Sequence, residues 1–115
     1  MKILVCGDRN WVDKKAIFRE LSKYPRDTIV IEGEARGADS LARVVALGLG
    51  VSVERYPANW DKYGRAAGPI RNQQMLDQKP DLVLAFHADL DNSKGTRDMV
   101  IRARKAGIEV LVFQA

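Results

Sequence analysis

The stretch Ile3-Leu4-Val5-Cys6-Gly7-Asp8-Arg9 decides the fold that we predict for this chain. Its first four residues are all apolar, without the alternation that marks a strand with one face in water. A continuous apolar run is typical of a strand in a parallel sheet, because helices cover both faces of such a sheet. The glycine and the polar residues that follow predict a turn out of this strand.

Four more apolar runs of strand length follow, at residues 28–31, 51–53, 82–86 and 108–113. Between the runs, apolar residues recur at helical spacing within residues 17–24, 41–49 and 99–106. Gly107 is placed to end the last helix just before the final strand. About five parallel strands alternating with about four helices predict an α/β fold, a single Rossmann-like three-layer sandwich with helices on both faces of the sheet.

Length and composition limit the alternatives. The chain has 115 residues, of which 46% are hydrophobic and 30% charged, so we expect one domain over residues 1–115. No apolar run approaches the roughly 20 residues that cross a bilayer, and the first strand is no signal peptide, so we expect a cytoplasmic protein without a membrane partner. With one cysteine and one histidine, Cys6 and His87, we expect no internal disulfide, no metal site and no cofactor.

The unusual residues of the chain follow the predicted strands. In an open α/β sheet, ligands bind beyond the carboxyl ends of the strands. The stretches at residues 7–11, 32–39, 56–72 and 87–96 lie there, and they hold both tryptophans, the only histidine and most of the glycines. Residues 57–67 form the one irregular stretch, and a loop of that length is more often functional than idle. This clustering predicts a binding site at one edge of the sheet.

The residue types in these stretches fit a phosphorylated ligand that carries a nucleobase. Glycines at helix starts leave backbone N–H groups open to an anion, arginines hold phosphate with two donors, and aromatic faces stack on bases. The candidate ligand-binding residues are Gly7, Asp8, Arg9, Trp11, Gly33, Glu34, Arg36, Gly37, Asp39, Trp60, Tyr63, Gly64, Arg65, Gly68, Arg71, Asn72, Ser93, Gly95 and Thr96.

Structural interpretations of the same residues stay open. Glycines at strand-to-helix turns serve turn geometry, Trp60 can pin its loop to the domain, and Asp39 can be the N-cap of a helix. No P-loop motif is present and no GxGxxG follows the first strand, which argues against a P-loop ATPase and against hydride transfer.

In order and spacing, these stretches resemble the YspA (YpsA-related) branch of the SLOG superfamily. The resemblance covers nearly the whole chain and implies a Rossmann-like fold. Its relatives include the DprA/SMF DNA-processing proteins and the LOG phosphoribohydrolases, and related branches sense or process nucleotide-derived ligands, often in phage or mobile-element settings. The residues that carry the resemblance are 7–11, 33–39, 57–60, 64–69, 71–72, 75 and 93–96.

The LOG hydrolases share two short stretches with this chain. Their R-K-x-x-M resembles Arg71-Asn72-Gln73-Gln74-Met75, which implies that Arg71 corresponds to their catalytic arginine. Their phosphate-binding P-G-G-x-G-T-x-x-E resembles the segment ending in Gly95-Thr96, except that residues 91–93 are Asp-Asn-Ser and Met99 stands at the catalytic glutamate, with Asp98 one place earlier. The resemblance therefore implies phosphate binding with an incomplete hydrolase site.

We carry three functional hypotheses forward. The first is binding, or sensing, of a nucleotide or nucleotide-derived phosphate ligand such as a NAD or ADP-ribose type molecule. The second is a LOG-like hydrolase of an N-glycosidic or phosphoribosyl bond, with Arg71 and Asp39 as catalytic residues. The third is DprA-like binding of single-stranded DNA, against which the even spread of the +4 net charge argues. We also expect a homo-oligomer, with the apolar helix over residues 41–49 as a candidate interface.

Overall fold

The computed structural model describes residues 1–114 and contains a sheet of five parallel strands in the order β3-β2-β1-β4-β5. Leu4 of the central strand lies opposite Ile31 on one side and Val83 on the other. The predicted fold class is confirmed, and the bounds of the strands differ from the predicted apolar runs by at most two residues. The strands are β1 (Lys2–Gly7), β2 (Ile29–Glu32), β3 (Ser52–Arg55), β4 (Leu82–Phe86) and β5 (Glu109–Phe113).

Helices cover both faces of the sheet. They are α1 (Lys14–Leu21), α2 (Ala38–Gly48), the one-turn α3 (Trp60–Tyr63), α4 (Ala67–Leu76) and α5 (Gly95–Lys105). Within residues 1–114, none of them is long and apolar enough to cross a bilayer. Alternate residues of the inner strands point to opposite faces, so that two cores form. One core packs α1 and α2 against residues such as Val5 and Val30, and the other packs α4 and α5 against Leu4 and Ile31.

Local chemistry explains where several helices begin and end. The carboxylate of Asp13 accepts a hydrogen bond from the N–H of Ala16 at 3.1 Å and starts α1. Pro69 lies in the first turn of α4, where its missing N–H costs nothing. Gly107 has a φ of 76° just after α5, a conformation that favours glycine, and so ends that helix as predicted.

The prediction that residues 57–67 are irregular is wrong in part. The side-chain oxygen of Asn59 accepts a hydrogen bond from the N–H of Lys62 at 3.1 Å and starts α3. A 3-10 turn, Gly64–Ala66, then leads directly into α4. None of the residues of α3 or of this turn is buried, so the segment lies on the surface although it is helical.

Candidate functional site

A cavity of about 440 Å³ opens beyond the carboxyl ends of β1, β2 and β3. This volume lies within the usual range for small-molecule sites, roughly 300–1,000 Å³. Its walls come from the loops after these three strands and from α4, which crosses over from β3 toward β4. The lining residues are Arg9, Gly33, Glu34, Ala35, Arg36, Pro57, Ala58, Trp60 and Arg71.

A close approach at Gly37 brings the loops after β1 and β2 together. Gly37 has a φ of 77°, and a Cβ there would overlap the carbonyl oxygen of Asp8. The same Asp8 oxygen accepts a hydrogen bond from the N–H of Ala38 at 3.1 Å, while the Asp8 carboxylate accepts one from Asn10 N–H at 2.9 Å. Gly37 and Asp8 therefore shape the wall, and Arg9 and Arg36, each next in sequence to one of them, both line the cavity.

Two buried carboxylates, those of Asp39 and Glu32, accept hydrogen bonds from the backbone of the loop after β2. Asp39 Oδ2 accepts hydrogen bonds from the N–H groups of Gly33 at 3.0 Å and Ala35 at 3.4 Å. Glu32 Oε2 accepts one from Glu34 N–H at 2.8 Å. The prediction of Asp39 as an N-cap is wrong, because Gly37 is the N-cap and Asp39 bonds to amides that precede α2. The amides of residues 33–35 are thus occupied rather than open to an anion.

Burial raises the pKa of both carboxyl groups. The pKa of Asp39 rises to about 6, although the positive charge of Arg71 and the two loop amides favour the ionised form. The pKa of Glu32, whose side chain is fully buried, rises to about 7, and the hydrogen bond from Glu34 opposes this shift. Glu32 Oε1 has no hydrogen-bond partner among residues 1–114. Loss of the charge of Glu32 therefore falls near neutral pH.

Glu34 lines the cavity, and its carboxylate pairs with two arginines. Its φ of 58° is unusual for a residue with a side chain, and the hydrogen bond to Glu32 holds its backbone in that conformation. Its Oε1 lies 3.1 Å from Arg55 Nη1 and 3.7 Å from Arg43 Nη1. The negative charge of Glu34 is therefore shared by two arginines that do not line the cavity.

Arg71 reaches the cavity from α4 and ties that helix to the loop after β2. Its Nη1 donates to the carbonyl oxygen of Gly33 at 2.5 Å, and its Nε donates to Asn72 Oδ1 at 3.2 Å. Asn72 is buried, and its Nδ2 donates to the carbonyl oxygen of Gly95 at 3.2 Å and to Asp98 Oδ2 at 3.0 Å. Asn72 thus orients Arg71 and links α4 to the start of α5.

The start of α5 does not line the cavity, although Ser93, Gly95 and Thr96 were predicted from the sequence as ligand-binding residues together with Gly33. Ser93 Oγ accepts a hydrogen bond from the N–H of Thr96, and the space above Gly95 is open to solvent. Asp98, next to the position of the LOG glutamate, binds Arg102 Nε with both oxygens, at 2.9 and 3.0 Å. Met99, at that position itself, is fully buried in the core.

Aromatic packing fills the region between β1 and β4, where the order of the strands reverses. Trp11 was predicted as a ligand-stacking face, but it is 8% exposed and packs on Phe86 with a centroid distance of 5.6 Å. Phe86 in turn stacks on Phe113 at 4.8 Å. A Cβ on Gly7 would overlap the carbonyl oxygen of Phe86, so Gly7 serves the packing of β1 on β4. Trp11 and Gly7 are therefore structural in this fold.

Trp60 is the aromatic residue that lines the cavity, and 49% of its surface is exposed. Its indole ring lies over Gly68, whose Cβ position would be 3.5 Å from Trp60 Cη2. Tyr63, Gly64 and Arg65 are exposed beside this ring and outside the cavity lining. Trp60 therefore contacts the start of α4 and also leaves about half of its surface exposed at the cavity, while stacking on a ligand stays a prediction.

Sequence reasoning missed some residues of the site. Ala35, Pro57 and Ala58 line the cavity, and their apolar side chains gave no chemical signal. Glu32 did give one, since an acid at the end of an otherwise apolar strand must be buried with it. Among residues 1–114, no group of three or more His, Cys, Asp or Glu side chains is arranged to hold a metal ion.

The fold and the cavity together define a Rossmann-like protein with an arginine-lined cavity beyond the carboxyl ends of its strands. Comparison with known proteins adds the family. The model of the YspA, cpYpsA-related SLOG family matches residues 1–63, more than half of the chain. The Gene 61 protein of Mycobacterium phage D29 is 36% identical over 121 aligned positions, which cover 97% of this chain and 95% of the phage protein. The chain therefore belongs to the YspA, cpYpsA-related SLOG family.

A solved structure supports the same fold. The X-ray structure of DNA processing protein A (DprA) from Streptococcus pneumoniae superposes with a TM-score of 0.78 and 18% sequence identity. The match covers 96% of this chain and 49% of the DprA chain, so this chain spans about half the length of that protein. At this level of identity the likeness concerns the fold alone.

Proposed function

We propose that this chain binds a nucleotide or a nucleotide-derived phosphate ligand, of the NAD or ADP-ribose type or smaller, in the cavity beyond β1, β2 and β3. The observation that carries the proposal is the pairing of three arginines, Arg9, Arg36 and Arg71, with the exposed ring of Trp60 in one cavity. Guanidinium groups match phosphate, and an indole face matches a base.

The charges around the cavity favour an anionic ligand. Arg9, Arg36 and Arg71 form no ion pair within the described part of the chain, and the carboxylate of Glu34 is shared by Arg43 and Arg55. Arg71 keeps Nη2 free of protein hydrogen bonds in residues 1–114, while its other donors position it. The wall therefore presents positive charge that the protein itself leaves without an ionic partner.

Thermal denaturation with AMP, NAD and ADP-ribose tests the proposal. A ligand at 100 times its dissociation constant stabilises the folded state by ~2.7 kcal/mol, which shifts the melting temperature measurably. We expect Trp60→Ala to abolish most of this shift and Arg104→Ala, an exposed arginine of α5, to leave it intact. The proposal fails when no nucleotide raises the melting temperature.

A hydrolase remains the second candidate because an acidic residue, Glu34, and Arg71 both line the cavity. A nearby carboxylate can stabilise the oxocarbenium-like state of glycosidic cleavage. Chromatography of nucleoside monophosphates incubated with the protein detects a released base. Release that disappears in both Glu34→Gln and Arg71→Ala would support the enzyme, and intact nucleotides after long incubation would leave binding alone.

Binding of single-stranded DNA is the third candidate, and the likeness to the DprA fold favours it. The same exposed tryptophan and arginines could contact a strand. Titration with an unphosphorylated oligonucleotide at low ionic strength separates this function from the first, because affinity for a strand falls steeply with salt.

We also propose that the chain self-associates through α2. Val44 and Leu47 are on the outer face of this helix and are 49% and 63% exposed. Light scattering during size-exclusion chromatography measures the assembly state. We expect Val44→Glu with Leu47→Glu to give a monomer, and a monomeric wild-type protein would refute this assignment.

A further inference from the structure

Two kinds of donor near the cavity could hold the ligand's anionic group: backbone amides of the loop after β2 and guanidinium groups. The amides of residues 33–35 are committed to Asp39 and Glu32. Ala38 N–H is committed to the carbonyl oxygen of Asp8. An anion at these amides would have to displace a buried carboxylate that the chain itself supplies.

The guanidinium groups of Arg9 and Arg36 are available to donate hydrogen bonds to the ligand. Arg36 makes one long contact, from Nη2 to Asn10 Oδ1 at 3.4 Å, and both Arg9 and Arg36 are exposed. Arg71 is different, because hydrogen bonds to Gly33 and Asn72 fix its direction. Both Arg71 and Arg9 favour the ionised form of the buried Asp39, so the charge of Asp39 does not distinguish them. The hydrogen-bond donors that residues 1–114 leave unused therefore lie mainly at Arg9 and Arg36.

Terminal and internal phosphates differ in negative charge, and the two arginines therefore distinguish between them. An internal phosphodiester of a nucleic-acid strand carries one negative charge, whereas a terminal phosphate carries about 1.5 to 2 near neutral pH. Two guanidinium groups on adjoining loops can each donate two hydrogen bonds to the oxygens of such a group. A terminal phosphate or a terminal diphosphate matches them better than a diester does.

We propose that Arg9 and Arg36 form the subsite for a terminal phosphate, so that the cavity takes nucleotides with a free phosphate end rather than internal phosphodiesters. This inference rests on the proposed nucleotide-binding function and narrows its ligands to nucleotides such as AMP, because the phosphates of NAD and ADP-ribose lie within an internal diphosphate bridge. It also assigns the phosphate to side chains, and neither the loop amides nor the start of α5 takes part.

Isothermal titration of the full chain with four probes tests the inference. The probes are AMP, adenosine, cyclic AMP and an oligo-dA strand with hydroxyl ends. In the wild-type protein, AMP is expected to bind at least about tenfold more tightly than the other three, since charged hydrogen bonds of this kind contribute a factor of ten or more. Arg9→Gln and Arg36→Gln are each expected to lower the affinity for AMP about tenfold and to leave adenosine unchanged.

Two further variants test whether the effect is confined to the proposed subsite of Arg9 and Arg36. Arg104→Gln removes an exposed arginine of α5 outside the cavity lining, and AMP affinity is expected to stay at the wild-type value. Gly95→Ala adds a Cβ that meets no protein atom within 4 Å, so it folds normally but obstructs a phosphate at the start of α5. AMP affinity is expected to be unaffected there as well.

The outcomes separate this inference from the proposed function. Equal affinity for AMP and the diesters, or loss of AMP binding in Gly95→Ala but not in Arg9→Gln and Arg36→Gln, overturns the inference and leaves nucleotide binding standing. Absence of binding by every probe to the wild-type protein overturns both.

Discussion

The loop after β2 and the loop after β4 both lead from a buried strand of the same sheet into a helix that begins at or beside a glycine. The first loop forms one wall of the cavity, and Arg71 and Trp60 lie on the other side of the cavity. The second loop faces open space at Gly95. The comparison shows that a glycine at a helix start forms a cavity only where other residues lie opposite it. At the first loop those residues belong to the segment after β3 and to α4.

Substitution of the two glycines should give the largest contrast between the loops. Gly37→Ala places a Cβ on the Asp8 carbonyl at a φ of 77°, and we expect a loss of about 3 kcal/mol or more in the free energy of unfolding. Gly95→Ala should change it by less than about 1 kcal/mol, in the stabilising direction, because alanine favours the helix. Urea denaturation measures both. Similar losses for the two variants would contradict the packing described at Gly37.

The stability of the protein should depend on pH through the carboxylates under the first loop. Asp39 and Glu32 have folded-state pKa values of about 6 and about 7, above their usual values, so the folded state binds protons more tightly than the unfolded state. Their protonation stabilises the fold at low pH, and this stabilisation is lost as pH rises from about 4 to 7. We therefore expect urea denaturation midpoints to rise as pH falls from 8 to 5.

Asp39→Asn tests the source of this pH dependence. It should remove roughly 1–1.5 kcal/mol of the change between pH 8 and 5, because the pKa of Asp39 is raised from 3.8 to about 6 and part of the protonation lies below pH 5. Asp91→Asn, at an exposed residue of the loop after β4, should leave the pH profile unaltered. Equal profiles for Asp39→Asn and the wild type would show that Asp39 does not titrate in this range.

Asn72 joins the two regions, and its removal should affect both. Asn72→Ala loses hydrogen bonds to Arg71, Gly95 and Asp98 in a buried place, and we expect a cost of about 1–3 kcal/mol. Gln74→Ala, two residues further on α4 and exposed, should cost less than about 1 kcal/mol. Chemical denaturation of the pair checks this. A loss in Asn72→Ala no larger than that in Gln74→Ala would mean that the hydrogen bonds of Asn72 between α4 and α5 contribute little.

Among these substitutions, Trp60→Ala should have the smallest effect on the free energy of unfolding and the largest effect on the affinity for AMP. Its ring is half exposed, so Trp60→Ala should alter the free energy of unfolding by only about 0.5 kcal/mol. The affinity for AMP should fall about tenfold or more, because stacking on an aromatic ring contributes about 1–3 kcal/mol per base. Tyr63→Ala, an exposed aromatic outside the cavity, is the matched control. Unchanged AMP affinity in Trp60→Ala would remove the stacking role.

Much of the fold followed from the sequence because its strands are nearly continuous apolar runs. The strand at residues 82–86 was predicted with the bounds that the structure has. Four candidate residues, Arg9, Arg36, Trp60 and Arg71, line one cavity, and their role in binding stays a prediction. Their grouping could be anticipated because polar and aromatic residues that follow parallel strands lie at one edge of the sheet.

Other parts of the site could not be predicted. Trp11 and Trp60 both follow strands, and only the packing of Trp11 on Phe86 shows that one belongs to the core. Gly95 and Thr96 do not share a cavity with Gly33. Which loops lie next to each other depends on the order of the strands in the sheet, and that order cannot be read from the sequence. The hydrogen bonds of Asp39 to two amides that precede its own helix likewise depend on the fold of the loop.

Nuclear magnetic resonance of the ¹⁵N-labelled chain during titration with AMP tests the central claim most directly. We expect the largest shifts at the amides of residues 33–36 and 58–60 and at the indole N–H of Trp60. The indole N–H of Trp11, which donates to the carbonyl oxygen of Asp13 at 3.0 Å in the core, should stay in place, as should the amides of residues 93–96. Shifts concentrated at residues 93–96 with Trp60 unaltered, or no shifts at all, would contradict a nucleotide site in this cavity.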